Sequence, residues 1–311
     1  MTAALTHAPL PSRALIAVSG PDWRGFLQGL ITQDVEALAP GEARFGALLT
    51  PQGRLLYDLF VVGRDDGCWL DVLAEHRVAI LQRLAMYRLR AKVDLAASDL
   101  TVSVLYSAHP RQSGDAGFFP DGASPSGDVR GSNKRTENAW VPAFAGMSGF
   151  VRDPRLPALG WRGYGAEPPA GAQAADEAAR EVQKLALGVP GPLDWGSDRT
   201  YPIEANFDLL NGIDFKKGCF VGQETTSRMK RRGQVKSRML PIAFEGPAPA
   251  AGAEVLAGEL RAGVVTSVGA GRGIALLRLD RAEGARLTVD GRSVRVERPA
   301  WFLEALGVEP A

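Results

Sequence analysis

Residues 43–62 read ARFGALLTPQGRLLYDLFVV. Two apolar runs flank Pro51-Gln52-Gly53, with proline and glycine where a tight turn takes them, so the stretch is a hairpin. Upstream, RALIAVSG (13–20) reads as a strand. Pro21 suits the first turn of a helix, where its missing N–H would be unpaired anyway. Trp23, Phe26, Leu27 and Leu30 follow at helical spacing on one face. Downstream, GRDDG (63–67) is a second turn and CWLDVLA (68–74) a third strand that Cys68 opens. A helix is predicted over about 75–90, with Val78, Leu81, Leu84 and Ala85 inward. AKVDLAA (91–97) and LTVSVLYS (100–107) read as further strands. Hairpins and helices that alternate irregularly point to an α+β fold rather than a doubly wound parallel sheet.

A chain of 311 residues exceeds one ordinary core, so two or three domains are expected. From 109 to about 150 the periodicity fails in a run rich in Gly, Ser and Pro, which reads as an insertion. Within it, NKRTENAWVPAFAGMS (133–148) resembles translated repeat elements found inserted in some bacterial proteins. DEAAREVQKLAL (176–187) is a helix that Gly188 and Pro190 end. After Arg238 come short strands and glycine turns without helical period. The expected division is therefore 1–238, an α+β region of two subdomains, and 239–311, a small all-β barrel. The GxGxG at Gly269–Gly273 lies between strands and reads as a turn, not a dinucleotide loop.

A net charge of +1 gives no general attraction to nucleic acid or acidic membranes. Two cysteines, Cys68 and Cys219, cannot make a disulfide framework and fit a reducing compartment. No stretch is apolar over the ~18 residues a membrane span needs, and the N-terminus lacks a signal-like pattern, so a cytoplasmic location is expected. Three scattered histidines, with no CxxC, HExxH or P-loop, leave a protein-only zinc site unsupported.

The segment that can carry chemistry is FKKGCFVGQETTSRMKRRG (215–233). Gly218 and Gly222 bracket Cys219, and Lys216 and Lys217 precede it; a nearby ammonium raises a thiol's thiolate fraction. Gln223–Arg232 can form a helix closed by Gly233. These features suit a reactive or coordinating thiolate, or a structural residue beside a turn. The run Arg228, Lys230, Arg231, Arg232, Lys236 and Arg238 suits phosphates or a polyglutamate tail, or is a solvated helix face. Without interleaved aromatics it does not point to nucleic acid. Arg54, Arg155 and Arg162 carry planar forks that match carboxylates. Glu204 lies between apolar residues in an expected strand and needs a partner there.

KKGCFVGQE (216–224) closely resembles the K-G-C-[FY]-x-G-Q-E signature of the YgfZ family, folate-binding relatives of the glycine-cleavage T-protein linked to maturation or repair of iron–sulfur enzymes. FLQGLITQDV (26–35), LLTPQGRLLYDLFV (48–61), YRLRAKVDL (87–95), DPRLPALGWR (153–162) and GVPGPLDWGSDRTYPIEANFDLLNGIDF (188–215) follow in the family's order. DPR…LGWR is similar to the sub-branch that includes mitochondrial iron–sulfur assembly factors. The resemblance implies a T-protein-like fold: two α+β parts, one ferredoxin-like, and a C-terminal β-barrel around a central cavity that takes tetrahydrofolate. It makes Cys219 the functional cysteine, with Lys217 beside it, and Glu204 the pterin contact. Arg54, Arg162, Arg180, Asn206, Gln223 and Glu224 are the further folate candidates. Cys219 would act as a redox-active thiol, or as ligand to a transient cluster shared with an assembly protein, a client enzyme or glutathione. Two departures qualify this. Ala79 or Ile80 stands where the T-proteins have an aspartate, which argues against aminomethyl transfer. Arg13 and Arg180 stand where some members have tryptophans, and could hold a glutamate tail. The expected function is a folate-binding accessory factor for iron–sulfur proteins. The alternatives are a folate-dependent one-carbon transferase or demethylase, and a scaffold.

Overall fold

The computed structural model describes residues 4–107, 149–231, 233 and 235–308; all but the last two residues of the expected insertion lie outside them. The chain first runs through β1 (Leu5–Pro9), β2 (Arg13–Ser19), α1 (Trp23–Gln28), β3 (Ala43–Leu49), β4 (Leu55–Arg64), β5 (Gly67–Leu73), α2 (Arg77–Arg88), β6 (Asp94–Ser98) and β7 (Val102–Ser107). It continues through β8 (Phe150–Arg152), β9 (Trp161–Tyr164), β10 (Gln173–Ala174), α3 (Glu177–Ala186), α4 (Pro192–Trp195) and α5 (Gln223–Arg231). The last part is β11 (Ser237–Phe244), β12 (Glu254–Ala257), β13 (Leu260–Gly269), β14 (Arg272–Arg278), α6 (Leu279–Ala282), β15 (Leu287–Val289), β16 (Arg292–Val296) and α7 (Ala300–Leu306).

The hairpin β3–β4 belongs to an antiparallel sheet of order β3-β4-β5-β2-β6. With α1 and α2 it makes a β–α–β–β–β–α–β unit, one strand more than the ferredoxin-like pattern. Both faces of this sheet are covered. Ile16, Val18, Leu59 and Val61 pack with Trp23, Leu27, Ile80 and Leu84 of the helices. Leu15 and Val62 point the other way, onto Ala8, Val104 and Tyr164 of a second sheet, β10-β1-β7-β9-β8. Double coverage explains why the second half of β4, Leu59–Val62, is a continuous apolar run rather than an alternating one. The third part is a closed barrel, β11-β14-β13-β12-β15-β16, which leaves no exposed sheet edge. Ala270 and Gly271, both at positive φ, form its two-residue hairpin loop, so the GxGxG is a turn as expected. The first sheet and the barrel meet where Phe45 stacks on Phe207 at 4.6 Å, beside Phe60, Trp195, Met239 and Ile274.

Two local expectations are corrected. On α2 the buried residues are Ile80 and Leu84, while Val78 is 63% exposed. Steps of three from Val78 trace a stripe that drifts around the helix; the i, i+4 pair Ile80–Leu84 is the one that meets the sheet. Glu204 is not in a strand. Residues 202–211 form consecutive turns, with Asn206 and Asn211 at positive φ, a conformation asparagine tolerates.

Between the two sheets lies a buried ionic network. Asp71 accepts from Arg13 Nε at 2.7 Å, from Arg162 Nε at 2.9 Å and from Tyr164 Oη at 3.0 Å. Arg13 also reaches Asp58 at 2.9 Å. Asp153 is held by Arg155 at 2.7 Å, with Arg162 and Arg180 at 3.8 and 3.7 Å. The Arg162 guanidinium lies 3.9 Å over the Phe60 ring. Burial alone would raise both carboxyls. The arginines reverse this, holding Asp71 below its ordinary value and Asp153 down to about 2.

A carboxyl whose pKa is depressed by folding adds stability above its unfolded value and loses it as pH falls through the folded one. The shift at Asp153, from 3.8 to about 2, corresponds to roughly 2 kcal/mol. Urea unfolding should therefore show stability falling between pH 4 and pH 2. Asp153→Asn should flatten that slope while lowering stability at pH 7; an unchanged slope would remove the network from the account.

Candidate functional site

Cys219 is exposed, in the loop between Asn211 and α5. The loop is fastened on both sides of it. Before the cysteine, Thr32 Oγ1 donates to Gly212 O and Gln33 Nε2 to Asn211 O, both at 2.6 Å, and Asp214 N–H donates to Thr32 O at 2.9 Å. Asp214 Oδ1 accepts the backbone N–H groups of Lys216 and Lys217, a side-chain turn that shapes the approach. After it, Phe220 is buried in the central aromatic cluster and Val221 N–H bonds Gly29 O at 3.2 Å. Gly222 sits at φ +81°, where a Cβ would come within 2.6 Å of Thr50 O, so only glycine lets the loop close on the 50–53 turn. Around Gly218 there is open space.

Lys217 is part of this fastening. Its ammonium donates to the carbonyls of Gln28, Ile31 and Gln33 at 2.8, 2.6 and 2.9 Å. Three N–H bonds are all an ammonium has, so none remains for the thiol. Burial lowers its pKa to about 8, with Asp34, Asp214 and Glu36 opposing; at neutral pH it is still a cation. The three bonds tie the cysteine loop to the 28–33 segment. Cys68 is buried on β5, and burial pushes its thiol far up, so it is a packing residue.

The folate candidates do not converge. Asn206 is fully buried, with Nδ2 on Met239 O and Oδ1 taking Arg238, so both ends are engaged internally. Arg162 serves Asp71, and Arg180 bonds Leu159 O and Gln183 Oε1. Arg180 Nη2 is buried without a hydrogen bond, and burial lowers this guanidinium's pKa to about 10. Arg13, the other expected tail-holder, is spent on Asp58 and Asp71. Arg54 donates to Arg199 O at 3.1 Å and lies 5.5 Å from the Tyr201 ring. Glu204 Oε2 accepts Tyr201 N–H at 3.0 Å; its other oxygen has no protein partner among the described residues. Burial raises the Glu204 pKa, against that N–H and Arg54. Gln223 opens α5, and Glu224 is exposed and paired with Arg228. Arg238, expected in a basic face, is buried on Asp208 at 2.9 Å, and Lys230 lies 3.7 Å from the same carboxylate. Arg232 is outside the described residues. Sequence reasoning passed over Asp71 and Asp153, the anions that claim these arginines. The signal was an aspartate inside the apolar strand CWLDVLA.

Among the described residues, no group of three or more His, Cys, Asp or Glu is placed to hold a metal ion. None of their helices is long and apolar enough to cross a membrane.

Comparison with known proteins places this arrangement. The family described as CAF17, C-terminal beta-barrel domain, matches residues 236–304. The iron-sulfur cluster assembly factor IBA57, mitochondrial, of Mus musculus is 30% identical over 308 residues, 88% of this chain and 78% of that protein. The chain belongs to the CAF17/IBA57 family. The Homo sapiens IBA57 is 31% identical over 78% of this chain and 67% of its own length. A Neurospora crassa homolog is 33% identical over 77% of this chain, but only 54% of that protein is matched, so the chain spans about half its length. The fold is that of the glycine cleavage system aminomethyltransferase T from Bartonella henselae: TM-score 0.70 at 19% identity, covering 97% of this chain and 87% of that one. The relatives are named as mitochondrial proteins, which overturns the cytoplasmic expectation. That expectation rested on missing signals, and missing signals do not tell one compartment from another.

Replacing Lys217 with Met should leave three carbonyls without their donor and cost about 1.5–3 kcal/mol, the range for hydrogen bonds to a charged group. Amide exchange should accelerate at residues 28–33 and 214–222. Iodoacetamide should still reach Cys219 and not Cys68. Unchanged exchange would refute the fastening role.

Proposed function

We propose that this protein is an accessory factor in iron–sulfur cluster assembly that offers the Cys219 thiolate to a cluster carried by another protein. The supporting observation is an exposed thiol on a loop tied down on both sides, so that one sulfur is presented to solvent in a fixed place. A cluster normally takes four ligands. One cysteine without a surrounding donor set supplies one, so the cluster is shared cargo and its other ligands come from a partner or glutathione. On ligation the thiol gives up its proton and the sulfur donates to iron. The names of the family relatives, iron-sulfur cluster assembly factors, agree with this role. One-carbon transfer is less well supported. Ile80 is buried in the core and no carboxylate stands at 79–80 to deprotonate an amine.

Cys219→Ala should fold normally and abolish support of aconitase-type enzymes in cells. Full client activity in that strain would sink the proposal.

The folate part of the reading rests on Glu204. Its unpartnered oxygen can accept an N–H of a pterin, whereas Arg162 and Asn206 are already engaged. Tetrahydrofolate titration should show binding by the wild type and at least tenfold weaker binding by Glu204→Ala. No binding by the wild type would remove folate and leave the cysteine proposal standing.

A further inference from the structure

α2 and the turn that ends it form a surface the reading above leaves unused. Between Arg77 and Lys92 the chain has five cations, Arg77, Arg83, Arg88, Arg90 and Lys92, and no carboxylate. Among the described residues none of the five enters an ion pair. Arg77, Arg83 and Arg88 donate to backbone carbonyls, of Ser98, Leu49 and Val93, at 3.2, 3.4 and 3.5 Å, and Arg83 also lies 5.7 Å from the Tyr87 ring.

The turn itself is unusual. Ala91 N–H returns to Arg88 O at 2.7 Å, which makes Leu89 the first central residue of a tight turn. Its φ of +43° and ψ of −105° are those of a type II′ turn, whose first central position is glycine's. A leucine there is strained, and this one is 88% exposed, so its side chain buries almost nothing within the chain. Met86 and Tyr87 beside it are 68% and 38% exposed. Next to them a groove of about 780 Å³ runs between α1 and α2, lined by Phe26, Leu30, Tyr87 and Leu89, with Arg24, Arg88 and Arg90 outnumbering the carboxylates Asp22 and Glu36 in its walls. The groove adjoins the cysteine loop: Val221, two residues from Cys219, packs on the same apolar cluster as Phe26, and its N–H bonds the end of α1 at Gly29.

We propose that this basic, apolar-centred surface docks an acidic protein, the one that brings the cluster to Cys219. The inference rests on the reading of Cys219 above, since that reading requires ligands from a second chain. Unpaired cations around apolar groups steer and select an acidic face. A groove receives a helix or a side chain, whereas a bilayer surface takes an amphipathic helix lying flat on it.

The probe is a synthetic helical peptide, glutamate-rich with leucines at i, i+3, i+4 and i+7, followed by fluorescence anisotropy at low salt. The wild type should bind it, and a lysine-for-glutamate version should not bind. Leu89→Gly relieves the turn, so its thermal midpoint should hold or rise while binding weakens at least tenfold. Arg90→Glu should weaken binding similarly. In cells, Leu89→Gly should lower iron–sulfur enzyme activity at least threefold at unchanged protein level. Peptide binding unaltered by both substitutions overturns the proposal. So does binding to phosphatidylglycerol vesicles without binding to the peptide. Cys219→Ala should bind the peptide like wild type, so a failure of the cysteine reading shows in cells and a failure of docking shows in anisotropy.

Discussion

The carboxylate of Asp71 ties the two sheets together. It stands on β5, Arg13 approaches it along neighbouring β2, and Arg162 and Tyr164 reach it from β9 of the opposite sheet. A charge buried this completely is tolerable only while its partners are in place. Removing one costs about 3–5 kcal/mol, because the remaining charge is left uncompensated. The sheets therefore have one relative placement in which every guanidinium finds its anion. Phe60 lies beneath Arg162 and belongs to the aromatic cluster that the barrel strands also enter. The ionic network and the apolar centre thus share a wall, and the position of the hairpin β3–β4 is set by both.

That hairpin positions the thiol. Its turn at 50–53 receives Gly222, and the end of α1 with the loop that leads to β3 supplies the carbonyls that Lys217 grips. Rigidity is carried outward from the buried aspartates, through the hairpin, to a loop whose tip is solvent. A cysteine meant to meet a ligand on another molecule needs this combination. If the loop were free, its ordering entropy would be lost on each encounter. If the thiol were buried like Cys68, it would stay protonated and unreachable.

Much of the fold was legible because it depends on short-range signals. The 43–62 hairpin, the helix after Asp176 and the two-residue barrel turn at 270–271 are each written in a local period or a glycine placed where φ is positive. The segment carrying Cys219 was legible for the same reason, as glycines and lysines around a cysteine. What was not legible depended on partners distant in sequence. Arg162 and Arg180 looked like open forks because Asp71 lies 91 residues from Arg162 and resembles any strand residue. Lys217 looked like an activator of its neighbour because its three carbonyls lie more than 180 residues away. A side chain's charge can be read from sequence; whether that charge is already spent cannot.

The same point bears on what the T-protein-like fold can do in this chain. A guanidinium that holds Asp153 cannot turn to a second carboxylate without releasing a buried anion whose pKa it keeps near 2. Arg162 is further committed to Asp71, and Asn206 has neither end free. The interior polar groups thus serve mainly to close the molecule on itself. Among the described residues, the groups left over at its rim include the thiol of Cys219, one oxygen of Glu204, and the arginines of α2, none of which is in an ion pair. Chemistry that draws on these must take most of its ligands from outside, which favours a part played with another protein over a self-contained active site.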